Sequence, residues 1–168
     1  MGEALQVRLA TLEDAQAVLE HMKRLNDDDH PGLLRREKLP PLEKERKFLE
    51  SRLDGTGHIL VLVDEHAIRG IGEVKLGSRP YRSHCATLGI SLESHVRGFG
   101  FGTTMIRSLH DWARRQPKVE RIQLEVFSTN PGAIQLYERL GYVLEGRRVG
   151  AIKRGEESID LIQMALAL

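Results

Sequence analysis

The chain has 168 residues and a mass of 19.0 kDa, which at ~150 residues per domain predicts one domain over 1–168. With 40% hydrophobic, 29% charged and 5% aromatic residues, the composition excludes disordered, collagen-like and coiled-coil classes. Lys+Arg 25 against Asp+Glu 24 leaves a net charge of +1, which argues against a dedicated nucleic-acid binder. One cysteine excludes an internal disulfide framework and a cysteine-based zinc site. No apolar run reaches the ~18 residues of a membrane span, and MGEALQVRLA has acid where a signal peptide has base. The expectation is a soluble, cytoplasmic protein with no metal, no membrane and no nucleic-acid partner.

The alternation in QVRLA predicts a short first strand. Thr11-Leu12-Glu13-Asp14 reads as a hydroxyl cap with acids in the first turn, and Ala15, Val18, Leu19, Met22 and Leu25 recur at helical spacing, so 12–25 is predicted helical. Residues 26–32 break it and carry the most acidic loop, Asp27-Asp28-Asp29-His30. Pro40-Pro41 opens a second helix, with Leu42, Leu49 and Leu53 on one side and Gly55 as its stop. HILVLVDE, AIRGIGEVKL and CATLGISLE then read as three strands, with 78–84 as a loop before the third.

RGFGFG follows, and Phe101, Met105, Leu109, Trp112 and Ala113 share one face of a helix that Pro117 ends. Residues 120–127 alternate as a strand. Asn130 and Pro131 then start a short helix as N-cap and first position, with Ala133, Tyr137 and Leu140 along one face and Gly141 at its end. Two strands, near 142–151 and 158–166, complete the order β-α-α-β-β-β-α-β-α-β-β. Consecutive strands on short turns imply antiparallel pairing, and the strand–helix–strand unit around 86–127 implies one parallel pair. The fold class is α+β, a mixed, mostly antiparallel sheet of about seven strands flanked by helices in an αβα sandwich.

Arg97-Gly98-Phe99-Gly100-Phe101-Gly102 sits between a strand and a helix N-terminus, where unpaired N–H groups and the helix dipole form an anion site. Glycines let a phosphate approach the backbone, and Arg97 adds a cation with bidentate reach. A tight turn whose glycines only relieve strain is the plainer alternative. A P-loop is excluded because Thr103, not Lys, follows Gly102, and a dinucleotide fingerprint is excluded because its third glycine position is Thr103.

Arg97, Gly100 and Gly102, after the strand LGISLESHV, resemble the Arg/Gln-x-x-Gly-x-Gly/Ala loop of the GCN5-related N-acetyltransferase (GNAT) superfamily. NPGAIQLYERLGYVLEG, residues 130–146, resembles that family's second block in the expected order and spacing. The C-terminal stretch looks most like the spermidine, amino-acid and ribosomal-protein N-acetyltransferase branch. The resemblance implies acetyl-CoA as cosubstrate and direct acetyl transfer to a primary amine on a small molecule or peptide: a polyamine, an amino acid or a protein N-terminus. It places the pantetheine arm against backbone groups of Ile90 and Leu92, where two strands splay apart. It places the pyrophosphate over Gly98, Gly100, Gly102 and Thr103.

Asn130 would both cap its helix and bond the arm. Tyr137 would protonate the departing thiolate, or else be a core tyrosine. Cys85 reads as a small buried hydrophobe. A glutamate frequent early in the strand before the glycine loop is replaced by Thr87, and a proline frequent in the loop is replaced by Ser94. Glu73, Glu93, His84 or water therefore remain as general bases. The acidic loop would attract a cationic amine, or else be a solvated turn. A catalytically inactive acyl-CoA-binding sensor is the competing class, which the missing glutamate suits and Tyr137 does not. The apolar end IDLIQMALAL would either pair across a homodimer axis or complete the chain's own core.

Overall fold

A computed structural model describes residues 4–28, 32–33 and 38–168. The strands are β1 (Gln6–Leu9), β2 (Gly57–Val63), β3 (Ile68–Leu76), β4 (Cys85–Leu92), β5 (Arg121–Phe127), β6 (Val143–Arg154) and β7 (Glu157–Ala167). The helices are α1 (Ala15–Asp27), α2 (Leu42–Leu53), α3 (Phe101–Arg114) and α4 (Pro131–Arg139). The expected order of elements is the observed one. The seven strands form one sheet in the order β1-β2-β3-β4-β5-β7-β6, antiparallel except for the β4–β5 pair. The chain therefore folds as the α+β sandwich expected.

Helices cover both faces of the sheet. Leu60, Leu62, Val74, Ala86 and Leu88 pack with Met105, Ile106, Leu109 and Ala113 of α3, each of these four fully buried. Ile59, Val61, Ile68 and Ile71 pack with Val18 of α1 and Leu49 of α2. Residues of successive parity on each strand serve opposite cores, as a period of two requires. Gly72 lies close under α3, where a Cβ would come 3.2 Å from Met105 Cε and 3.3 Å from Leu109 Cδ1.

Local chemistry sets the ends. Thr11 N–H donates to Asp14 Oδ2 at 2.8 Å, and Arg8 holds the same carboxylate, so a 3-10 turn over Leu12–Asp14 leads into α1. Asn130 Oδ1 accepts from Ala133 N–H at 3.3 Å with Pro131 in the first turn, as its sequence position predicts. Gly141 ends the helix at φ +93°.

Two expectations need correction, and one open alternative is decided. α1 runs to Asp27, through residues assigned from sequence to the loop. Leu42 is 42% exposed and does not join Leu49 inside. IDLIQMALAL is not an edge: β7 lies between β5 and β6, with Ile159, Leu161, Ile162, Met164 and Ala165 buried. It completes the chain's own core. The edge strands are β1 and β6, and β6 exposes Val143, Leu144 and Val149.

Candidate active site

β4 and β5 pair only over Cys85–Thr87 with Arg121–Gln123. Their registered pairing ends there while β4 continues to Leu92 and β5 to Phe127, and a wedge opens between them. On the other side β4 stays paired with β3. Gly77 N–H donates to Cys85 O and Glu93 N–H to Arg69 O, so odd-numbered β4 residues hold the β3 bonds. The N–H and C=O groups of Leu88, Ile90 and Leu92 therefore face the wedge. The Leu92 carbonyl is taken there by Arg97, whose Nε and Nη2 lie at 2.9 and 2.6 Å.

The wedge leads to the glycine turn. Gly98 and Gly100 have φ of +80° and +86°, in the left-handed region, and a Cβ on either would point into open space. Gly100 is the N-cap of α3, and the first intrahelical bond runs from Thr104 N–H to Gly100 O at 3.0 Å. Phe101, Gly102 and Thr103 present the N–H groups of a first turn, which have no intrahelical partner. A Cβ on Gly102 would sit 3.5 Å from Leu92 Cδ1 and 3.6 Å from Leu136 Cδ2, so the strand end, α3 and α4 converge at this point. The donor set fits an anion of phosphate type.

Arg97 belongs to the turn but points back into the protein. Besides Leu92 O it bonds Asp28 Oδ2 at 2.8 Å, and Ser94 N–H donates to the same carboxylate at 3.2 Å. Asp28 is thus half-buried and engaged, whereas Asp27 is exposed; Asp29 and His30 lie outside the described residues. Gly32 packs on the opposite wall: a Cβ there would fall 2.1 Å from Asn130 Nδ2. Leu33 O accepts from Arg154 Nη2 of β6 at 3.2 Å. Asp28 and Gly32, on the segment after α1, thus reach opposite sides of the wedge.

Tyr137 is 7% exposed and packs edge-on against Tyr142, with ring centroids 5.6 Å apart. Burial raises its pKa from 10.0 to about 12, so it keeps its proton at neutral pH. Tyr142 is raised further by burial and Tyr137, and His110 Nε2 lies 2.9 Å from its hydroxyl. Burial and the nearby Arg114 push His110 down to about 4.

The α2 side of β3 and β4 carries the charges. A cavity of about 340 Å³ is lined there by Arg52, Glu73, Lys75, Arg79, Arg82, Thr87 and Gly89, among others. Glu73 is ion-paired with Arg52. Thr87 is exposed at the last paired position and accepts from Gln123 Nε2 at 3.3 Å. His84 lies just before β4, at the closed end of the wedge, where its carbonyl accepts from Glu120 N–H at 2.9 Å. Glu93 is buried at the open end, bonded by Arg24 Nε at 2.7 Å, His21 Nδ1 at 3.0 Å and Arg69 Nη1 at 3.3 Å. Burial alone would raise its pKa, but Arg24 and His21 outweigh that and hold it below 4.5. The three candidate bases therefore lie apart along β3 and β4. Cys85 is buried, as its apolar strand implied.

Two residues of these ion pairs lie outside the sequence candidates. His21 occupies the apolar stripe of α1, three residues after Val18, and a histidine on such a stripe is the signal that flags it. Arg52 gave no signal, because its partner lies on another element.

The family model described as Acetyltransferase (GNAT) family matches residues 19–142. L-amino acid N-acetyltransferase AaaT of Escherichia coli (strain K12) is 32% identical over 148 residues, 87% of this chain and 75% of that protein. The GNAT-family acetyltransferase of Streptococcus pneumoniae superposes with a TM-score of 0.90 at 22% identity, covering 98% of this chain and 100% of that one. YncA of Salmonella typhimurium, solved with its cofactor acetyl-CoA, gives 0.85 at 18% identity, covering 98% and 94%. The chain belongs to the acetyltransferase (GNAT) family.

Proposed function

We propose that this enzyme transfers the acetyl group of acetyl-CoA to the amine of an acceptor that carries a carboxylate, a free amino acid or a short peptide. Acetyl-CoA supplies a thioester whose carbonyl an amine can attack. Backbone N–H groups of Gly98, Gly100, Gly102 and Thr103 take the pyrophosphate at the positive end of α3. Ile90 takes an amide of the pantetheine arm through its wedge-facing backbone, and Leu92 does so through its N–H, its carbonyl being held by Arg97. Arg97 acts by fixing the strand end and the insert, and Asn130 adds its amide beside the arm. Tyr137 delivers a proton to the departing sulfur, which its raised pKa permits.

The acceptor class is carried by one observation, the charge of the cavity. Among the described residues, Arg52, Lys75, Arg79 and Arg82 line it against a single carboxylate, Glu73, which Arg52 already pairs. Such a cavity attracts a carboxylate and repels a polycation. The relative named for L-amino acids supports the same class. Of the acidic residues after α1, Asp28 is bound by Arg97 and so is less open to a polyamine. Coenzyme A release measured over amino acids, their amides and spermine tests this. Amino acids should exceed their own amides by ~10-fold in kcat/KM, about the worth of one charge-assisted contact. Preference for spermine would overturn it.

A further inference from the structure

Between α1 and the sheet runs a hydrogen-bonded chain that apolar packing does not require. His21 is fully buried, with Nδ1 3.0 Å from Glu93 Oε1 and Nε2 3.2 Å from Ser91 Oγ. The groups facing it come from three elements. Arg24 of α1 and Arg69 of β3 bond Glu93, and His95 Nδ1 stands 3.7 Å from the second Glu93 oxygen. Asp64 in turn holds Arg69, with Oδ2 2.5 Å from Nε.

The proton positions in this chain follow from its charges. Two guanidinium groups keep Glu93 a carboxylate, which accepts and cannot donate. The proton between it and His21 therefore sits on Nδ1. A neutral imidazole protonated there has its lone pair on Nε2, so the Ser91 hydroxyl donates to it. Burial outweighs the upward pull of Glu93 and, with Arg24 and Arg69, lowers the His21 pKa from its ordinary 6.5, which favours the neutral ring. A hydroxyl on an imidazole oriented by a carboxylate is a hydroxyl with a base behind it.

Ser91 is the half-buried member of this chain. It lies on β4 beyond Thr87, where β5 has already diverged, and on the same strand face as Gly89 of the cavity wall. One pleat, ~6.6 Å, separates Ser91 from Gly89. Glu73 lines the cavity directly, but Arg52 occupies it.

Resting on the acetyl-transfer reading above, we propose that Ser91 and His21 receive the proton of the acceptor ammonium, with Glu93 as the positioning residue. The ammonium gives its proton to Ser91 Oγ as the hydroxyl proton passes to His21 Nε2. The freed amine attacks the thioester carbonyl, its C–N bond forming as the C–S bond breaks, and the thiolate takes the Tyr137 proton. The imidazolium, held by Glu93, returns its proton to solvent through the same serine, and Tyr137 is reprotonated from water. No other reactant is needed.

The test combines Ser91→Ala, Ser91→Thr, Glu73→Gln and His21→Gln. Ser91→Ala should lower kcat by ~100-fold, the scale of a positioned proton acceptor. Its KM for acetyl-CoA should stay within about two-fold and its melting temperature near wild type. Its acid limb in the pH profile of kcat/KM should move to higher pH. Ser91→Thr, which restores the hydroxyl, should recover most of the rate, and Glu73→Gln should keep the wild-type acid limb. Nitrogen NMR of the free protein, with His21→Gln to assign the signal, should place the His21 proton on Nδ1. Wild-type kcat in Ser91→Ala, an acid limb lost only in Glu73→Gln, or a proton on Nε2 would each overturn the relay. A wild-type protein that releases no coenzyme A with any amine would overturn the acetyl-transfer reading and the relay together.

Discussion

The two faces of β4 are built from different chemistry. Ala86, Leu88, Ile90 and Leu92 point to the α3 side and pack in a core of Met105, Ile106 and Leu109. Cys85, Thr87, Gly89, Ser91 and Glu93 alternate with them and face α1 and α2, where Glu93, His21 and the Glu73–Arg52 pair lie. The same strand thus has a side that is rigid and apolar and a side that holds fixed charges. Between them its backbone faces a wedge that the sheet leaves open. A thioester held in that wedge would have packing behind it and titratable groups ahead of it.

The largest expected effect comes from breaking the apolar face. Leu109→Ala, at a fully buried position, should cost about 2–5 kcal/mol of unfolding free energy, read by denaturant titration. A loss under about 1 kcal/mol would show that α3 is not the platform described. On the same side, Tyr137→Phe keeps the ring and removes the proton. It should lower kcat by ~100-fold while stability changes by about 1 kcal/mol or less. A near-normal kcat with chemistry rate-limiting would return Tyr137 to a purely packing role.

Gly100→Val tests the end of the wedge. Acetyl-CoA should raise the melting temperature of the wild type through linkage, and the variant should lose most of that rise. The added side chain fills the open space at the turn and is strained at φ +86°. An unchanged rise would reject the turn as the phosphate site.

The smallest effect is the pH dependence of stability, and buried titratable groups on both faces set its sign. The folded pKa values of His21, Glu93 and Asp64 are all lowered, so the unfolded chain binds their protons more readily. Each contributes stability above its unfolded pKa and loses it as pH falls. His21 and His110 begin the loss below 6.5, with His110 complete near about 4. Glu93 adds to it below 4.5, and Asp64 follows from 3.8 down to about 2. The melting temperature should therefore decline steadily from pH 6.5 downward. His110→Gln should flatten the part above about pH 4. A melting temperature that rises in that interval would contradict the buried neutral histidines.

The legible parts of this protein are those fixed by local chemistry. Asn130-Pro131 starts α4 because a cap and a preset φ act within one turn, and Met105, Leu109 and Ala113 declare the face of α3 by spacing alone. The wedge at Thr87 and the candidate cofactor contacts entered through resemblance to a family, because nothing local marks where two strands part. The placement of β7 inside the sheet was open, since its apolar run suits a core strand and an interface equally. The partners of Arg97 and His21 were hidden for a different reason. Asp28 lies 69 residues from Arg97 and Glu93 lies 72 from His21, and a single sequence carries no record of such pairings.

In the proposed mechanism the open edge of β4 and the turn after it together hold acetyl-CoA. Amide hydrogen exchange resolved by residue, with and without acetyl-CoA, tests it most directly. Added protection is expected at the N–H groups of Ile90, Leu92 and Gly100–Thr103, with little change along the β6–β7 hairpin. Protection concentrated elsewhere, with Ile90 and Leu92 exchanging as in the free protein, would contradict it.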